Sequence, residues 1–399
     1  MGAGVRRRRL VLRWAVALLV LPAAVTGCTD RGSVGSGGGG ARTEAGEQPA
    51  GSAQVQIEPA ANATGVAPGD PVTVTAQGGT LADVAVTTAG DRVPGKFSGD
   101  RSTWTSIGRL AFDTRYRVVA SATSGDGEEA RGTSTFTTAK AAAQVFPAVA
   151  PLRGTTVGVG MPIRVFFDAL VTDRKAALAR MKVHTSVPTE GAWRWLSGTE
   201  VHWRPKIYWK PGTQVVLTTD LYGVELGPGV YGGAKADRRI DFAIGHSHIS
   251  IADARTHRLK VYVDGKLTKD FPASLGKEVK GRYTHAGAHV VTDKKRSMTM
   301  DSTTYGLALD AGGYRTKVEY ATRISNSGEF VHSAPWSVEQ QGRENVSHGC
   351  INLSPANAAW FFRLARPGDV VSVVGTPVKL TARETDIPDW NIPWSQWGE

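Results

Sequence analysis

From about residue 55 to 246 the apolar residues arrive in short alternating runs, among them Val72-Thr73-Val74, Leu110 to Phe112 and Tyr116 to Ala120, closed by Gly, Pro, Asp or Ser. A period of two puts successive side chains on opposite faces of an extended chain, so each run has one face to bury and needs a sheet to bury it in. Short runs with frequent turns predict small antiparallel sandwiches. The span divides in two, because the stretch from Val66 through Pro71 to Val74 is answered by Val157 through Pro162 to Val165. Each is followed by a tryptophan that opens a hairpin, Trp104 or Trp203. These are read as a divergent tandem repeat of immunoglobulin-like modules over 55–140 and 141–246, with the tryptophans as core anchors. Neither module has a cysteine for an inter-sheet disulfide.

The texture changes near His248, and residues 247–378 form a third unit. Leu259, Val261 and Val263 alternate into Asp264-Gly265, and Leu267 and Phe271 follow, which predicts a hairpin closed by a type I′ turn. Ser354-Pro355 then opens an apolar stretch to Ala365 that Pro367-Gly368 closes, giving an N-cap, a proline in the first helical turn, a helix and a stop. Val370 to Val374 is a continuous apolar strand. The fold class expected is mostly β: two Ig-like sandwiches, then a β-rich domain with one main helix. Residues 379–399 carry Trp390, Trp394 and Trp397 and are expected to pack on a neighbouring domain.

At the other end, Arg6 to Arg9 precede an apolar run from Leu10 to Val25 that ends at Val25-Thr26-Gly27-Cys28. A basic start, a short apolar middle and small residues at its end make 1–27 a signal peptide rather than a permanent membrane span. Val-Thr-Gly-Cys resembles the lipobox of bacterial lipoproteins, which implies lipidation of Cys28 and anchorage on the outer face of the cytoplasmic membrane. Residues 28–54 are Gly/Ser-rich and then polar, too poor in apolar side chains for a core, and read as a flexible tether. The chain has two cysteines, and with Cys28 lipidated Cys350 is a lone thiol in an oxidising compartment, where an idle thiol is a liability. Removing the five arginines of the signal from the formal +11 leaves +6. With no dense basic cluster, that charge fits an anionic envelope rather than nucleic acid.

Thiolate chemistry needs a base within hydrogen-bond reach and a third group to set the tautomer of that base. Phe330-Val331-His332-Ser333-Ala334-Pro335-Trp336, then Ser347-His348-Gly349-Cys350-Ile351-Asn352, resembles the signature of the L,D-transpeptidase catalytic domain, known also as the YkuD domain. The resemblance covers 248–377, and a lipobox, two Ig-like modules and this domain in that order look like actinobacterial members of the family.

It implies an acyltransferase of the cell wall. Cys350 would attack the carbonyl at the L-centre of the third residue of a tetrapeptide stem and expel D-alanine, and the amine of diaminopimelate on a second stem would resolve the acyl-enzyme into a 3→3 cross-link. His332 would be the base that holds the cysteine as thiolate, and the carbonyl of Ser333 would orient its ring. The N–H groups of Gly349 and Cys350 are expected to hold the oxyanion. His348 either polarises the site or completes the turn. Substrate contacts are expected from Asn352, Ser347, Trp336, the backbone edge Ser327-Gly328, and Tyr305 and Tyr314 in a mobile lid within Met298 to Tyr320; Arg343 is a candidate for a substrate carboxylate or a solvated side chain. A cysteine acyltransferase of this kind also implies capture by β-lactams of the carbapenem class.

The family often has Thr-Pro-x-Gly where this chain has Thr284-His285-Ala286-Gly287. The motif alone does not separate transfer from hydrolysis, so an L,D-carboxypeptidase or endopeptidase is the rival activity. A papain-like NlpC/P60 peptidase is disfavoured because there the cysteine precedes the histidine. A non-catalytic wall-binding lipoprotein would not need His332, Ser347, Gly349, Cys350 and Asn352 together. No cofactor or metal is expected, since His285/His289 and His246/His248 lack a third partner at ligand spacing.

Overall fold

The computed structural model describes residues 52–398. The signal-like run, Cys28 and nearly all of the Gly/Ser-rich stretch lie outside the described residues.

The first module is a sandwich of two sheets. One orders the strands Gln54–Glu58, Thr73–Gln77, Thr103–Ser106 and Gly95–Phe97, and the other Gly79–Thr87, Arg115–Ser124 and Glu129–Thr137. Alternation puts Val72, Val74, Val84, Val86, Val118 and Phe136 into one buried core around Trp104. The second module stacks two four-stranded sheets, with a short helix Arg174–Ala179 and a small three-stranded sheet at its margin.

The repeat is visible in a detail. Trp104 lies opposite Phe97 and Trp203 opposite Trp193. Two residues before each partner a glycine, Gly95 or Gly191, lies under the indole: a Cβ there would sit 1.9 or 2.1 Å from a ring carbon. The landmark strands are two residues out of the register read from sequence, since Val74 pairs with Trp104 while Ile163, rather than Val165, pairs with Trp203. The two prolines that suggested the alignment lie outside the pairing and do not set it.

The third unit has two sheets. A five-stranded sheet orders Lys266–Pro272, Arg258–Val263, His248–Asp253, Val370–Val374 and Gly287–Val290; a four-stranded one orders Asp293–Asp301, Arg315–Arg323, Phe330–Ser333 and Ile351–Leu353. The hairpin at Asp264-Gly265 has positive φ at both residues, as a type I′ turn requires. The helix Pro355–Leu364 is capped by Ser354, whose Oγ accepts from the Asn357 N–H. It packs on the strand pair Phe330–Ser333 and Ile351–Leu353, and Phe361 joins Leu259, Val331, Ile351 and Leu353 in one core. Each such fully buried side chain contributes about 1.5–3 kcal/mol of transfer free energy.

This unit is docked on the second sandwich through backbone bonds from the Gly158 and Gly160 N–H groups to Pro367 and Gly368 oxygens, both 2.8 Å. The C-terminal segment closes the same seam. Trp390 Nε1 donates to Gly160 O and Trp397 Nε1 to Ala192 O, while the Arg204 guanidinium lies 4.5 to 5.1 Å from the rings of Trp397, Trp390 and Trp394.

Candidate active site

The two motif strands, Phe330–Ser333 and Ile351–Leu353, run parallel with His332 opposite Asn352. Val331, Ile351 and Leu353 point into the apolar core beneath the helix. By alternation His332, Cys350 and Asn352 share the other face, and all three line one cavity of about 420 Å³. Strand parity thus turns an 18-residue separation in sequence into one constellation. Met300, Tyr314, Thr316 and Val318 wall the cavity from the long hairpin Asp293–Arg323, and Trp336, Ser337, Gln340, Ser347 and His348 wall it from the connection between the motif strands.

The His332 Nδ1 lies 2.8 Å from the Ser333 carbonyl oxygen. A carbonyl only accepts, so Nδ1 carries the proton and Nε2 keeps its lone pair. Burial drives the imidazole pKa down to about 4 against the opposing pull of that carbonyl. Burial likewise drives the Cys350 thiol up to about 12; a hydrogen bond from the Phe330 backbone opposes this, the Glu329 charge adds to it, and Arg323 lowers it. The thiol donates to Gly328 O at 3.6 Å. Burial thus favours the neutral form of both groups. It works against the thiolate expected beside His332, since a charged pair here would have to be desolvated on both sides.

The turn before Cys350 is built by Ser347. Its Oγ accepts from the Gly349 N–H at 3.1 Å and donates to Cys350 O at 2.6 Å. Gly349 has φ of +125°, a conformation that side chains resist. The Gly349 N–H is thus already engaged, which corrects its expected place in an oxyanion hole; of the two expected donors the Cys350 N–H is the one left. Ser347, expected at the substrate, serves the turn with both of its hydroxyl hydrogen bonds.

His348 reaches across to the long hairpin: Nε2 donates to Gly312 O at 3.2 Å, and its ring lies 4.9 Å from that of Tyr314. Burial and the nearby Arg282 lower its pKa. Asn352 donates through Nδ2 to Ser337 Oγ at 3.1 Å, and its buried Oδ1 has no hydrogen-bond partner. Trp336 lines the cavity 56 % exposed, its ring 6.1 Å from that of His332.

Other expected residues stand elsewhere. The Ser327 N–H donates to Glu384 O at 3.1 Å, so this donor of the expected edge is engaged by the chain's own C-terminal segment. Gly328 lines a second cavity that shares Met300 and Tyr314 with the first. Tyr305 ends the 3-10 turn Ser302–Tyr305, and its side chain lies outside the described residues. Arg343 lines a separate groove with His257 and Lys277. Reading the sequence missed Met300, Ser337 and Gln340, which carry no motif; Ser337 lies two residues beyond Pro335, close enough to the motif to have been considered.

The two immunoglobulin-like sandwiches and the mixed-sheet domain, with its buried cysteine and histidine on one cavity face, each match a known family. The model of the bacterial Ig domain matches residues 63–225, and that of the L,D-transpeptidase catalytic domain, YkuD, matches 247–377. The chain is 43% identical over 337 residues to L,D-transpeptidase 2 of Mycobacterium tuberculosis (strain CDC 1551 / Oshkosh), covering 84% of this chain and 81% of that one. It is 36% identical over 351 residues to L,D-transpeptidase 5 of Mycobacterium tuberculosis (strain ATCC 25618 / H37Rv), covering 86% and 76%. Among solved structures it resembles the LD transpeptidase LdtMt1 in complex with imipenem, with 38% identity, a TM-score of 0.50, and coverage of 57% of this chain and 99% of that one. The chain belongs to the L,D-transpeptidase family.

Proposed function

We propose that the chain cross-links peptidoglycan stems through an acyl-enzyme on Cys350. The observation that carries this reading is the locked tautomer of His332, whose Nδ1–H is held by Ser333 O so that Nε2 presents a lone pair on the cavity face it shares with Cys350. As a tetrapeptide stem enters, Nε2 takes the Sγ proton while sulfur adds to the carbonyl at the L-centre of the third residue. The Cys350 N–H stabilises the oxyanion. Collapse breaks the bond to D-alanine, whose nitrogen takes the proton from His332. The side-chain amine of diaminopimelate on a second stem then gives a proton to Nε2, adds to the thioester and releases the sulfur, which recovers the proton. The unpartnered Asn352 Oδ1 supplies an acceptor for a stem N–H, and Trp336 a partly exposed apolar wall.

Imipenem is the ligand of the related LdtMt1 structure, and a strained lactam presents a carbonyl to the same sulfur, so carbapenems are proposed as acylating inhibitors. Cys28 is proposed as the lipidated residue that places the protein on the outer face of the cytoplasmic membrane, with the Gly/Ser-rich stretch as its reach into the wall.

The test is to incubate the chain with disaccharide-tetrapeptide and read the products by mass spectrometry. A cross-linked dimer with loss of D-alanine is expected, and its absence from Cys350→Ala; tripeptide alone would mean hydrolysis, and activity retained in Cys350→Ala would refute the assignment. For the anchor, Cys28→Ala should abolish lipid labelling in cells, and unchanged labelling would rule it out.

A further inference from the structure

Against the Gly349-Cys350 turn lies a buried carboxylate that this chemistry does not use. Glu329 stands between Gly328, whose carbonyl takes the Cys350 thiol, and Phe330, whose backbone hydrogen-bonds the sulfur. Its side chain is 5 % exposed and close enough to the turn that a Cβ on Gly349 would meet its Cγ at 3.7 Å. Oε1 accepts twice from one residue, from the His285 N–H at 2.8 Å and from His285 Nδ1 at 2.9 Å. Oε2 is buried with no hydrogen-bond partner, and His289 Nδ1 lies 3.7 Å from it. His285 stands where the family pattern often has proline, which offers neither donor.

A buried carboxylate held by one ionisable partner is tolerated when that partner is charged. The hydrogen bond to Glu329 raises the His285 pKa against the opposing effect of burial, with Glu384 adding to the rise. The groups facing the cluster are Glu384, His289, whose ring nitrogens contact the His285 and Ile324 carbonyls, Cys350 itself, and Arg323, whose guanidinium covers the Phe330 ring.

We propose that Glu329 and His285 form a proton-operated electrostatic control on Cys350. With His285 charged the pair is neutral and adds no penalty to the charge that develops on the sulfur; with His285 neutral the bare carboxylate opposes that charge. Glu329 is a positioning residue, acting through the turn and its field without touching substrate. The inference rests on Cys350 as nucleophile and predicts an enzyme that works better on the acidic side of the His285 titration.

The test follows alkylation of Cys350 by iodoacetamide in the full chain from pH 5 to 9, read on the Cys350 peptide by mass spectrometry. The native rate should climb with pH, flatten where His285 loses its proton, then climb again. Glu329→Gln, which keeps shape and an acceptor oxygen, should remove the flattening and react about tenfold faster at pH 9, the effect of about one pKa unit on the thiol. His285→Asn should slow the reaction about tenfold at pH 5, also about one pKa unit, and adding Glu329→Gln should restore it, a rescue that a merely structural role would not give. The same flattening in folded Glu329→Gln, or no rescue in the double variant, would overturn the inference alone. A native Cys350 that stays unlabelled while the denatured chain labels would sink the nucleophile and this inference together.

Discussion

Two histidines of this protein are buried to a similar degree and have their pKa values moved in opposite directions. His332 meets a single carbonyl, whose upward pull is outweighed by desolvation, and its pKa falls to about 4. His202 lies between two carboxylates, with Nδ1 2.9 Å from Asp389 Oδ2 and Nε2 2.7 Å from Glu200 Oε1. Burial pushes its pKa down as well, but Asp389 and Glu200 together outweigh burial and raise it. Depth does not decide the proton; the partner does. One arrangement leaves a lone pair for chemistry, and the other makes a clasp that ties the C-terminal segment to the second sandwich. The Glu329–His285 pair lies between these extremes, with one carboxylate and partial access to water.

The comparison breaks first at the catalytic side. His332→Gln keeps a polar side chain but no base, and should lower the rate of acyl transfer by about 10²–10⁴-fold, the range for a lost general base. Single-turnover kinetics with disaccharide-tetrapeptide would measure it, and a change under tenfold would mean that the base lies elsewhere.

At the clasp, His202→Ala leaves two carboxylates facing a hole and should destabilise the fold by about 3–5 kcal/mol in denaturant unfolding. The sign of the native pH dependence follows from the raised pKa. This stabilisation is full below the unfolded value of about 6.5 and is lost as pH rises through the higher folded value. A pH-independent difference between native and variant would show that His202 is not charged.

A smaller effect is expected where no charge is involved. Ser347→Ala orphans the Gly349 N–H and should cost about 1–3 kcal/mol of stability, with slower acylation because the Cys350 turn loosens. Stability unchanged in calorimetry would mean that the freed N–H finds another acceptor.

Sequence order made the strand-level picture legible. The spacing of His332 and Cys350, the Asp264-Gly265 turn and the Ser354-Pro355 cap are all local patterns, and local patterns carry their own geometry. What escaped depends on partners far along the chain. The Ser327 N–H resembles a free donor in the sequence because Glu384, whose carbonyl takes it, comes 57 residues later. The Gly349 N–H resembled an oxyanion donor because Ser347 can turn its hydroxyl either way, and only the fold turns it inward. The repeat is visible in the sequence but its strands sit two residues out of the apparent alignment, since prolines outside the pairing resemble one another more than the strands do. The charge states of His332 and Cys350 depend on burial, which no motif encodes.

Acyl transfer through Cys350 requires His332 to be a neutral base with its proton on Nδ1. Carbon and nitrogen NMR of the histidine-labelled chain, with His332 assigned by its loss in His332→Gln, measures this directly. The expected result is an Nδ1–H imidazole unchanged from pH 8 down to about 5, titrating near pH 4. An imidazolium at pH 7, or the proton on Nε2, would contradict it.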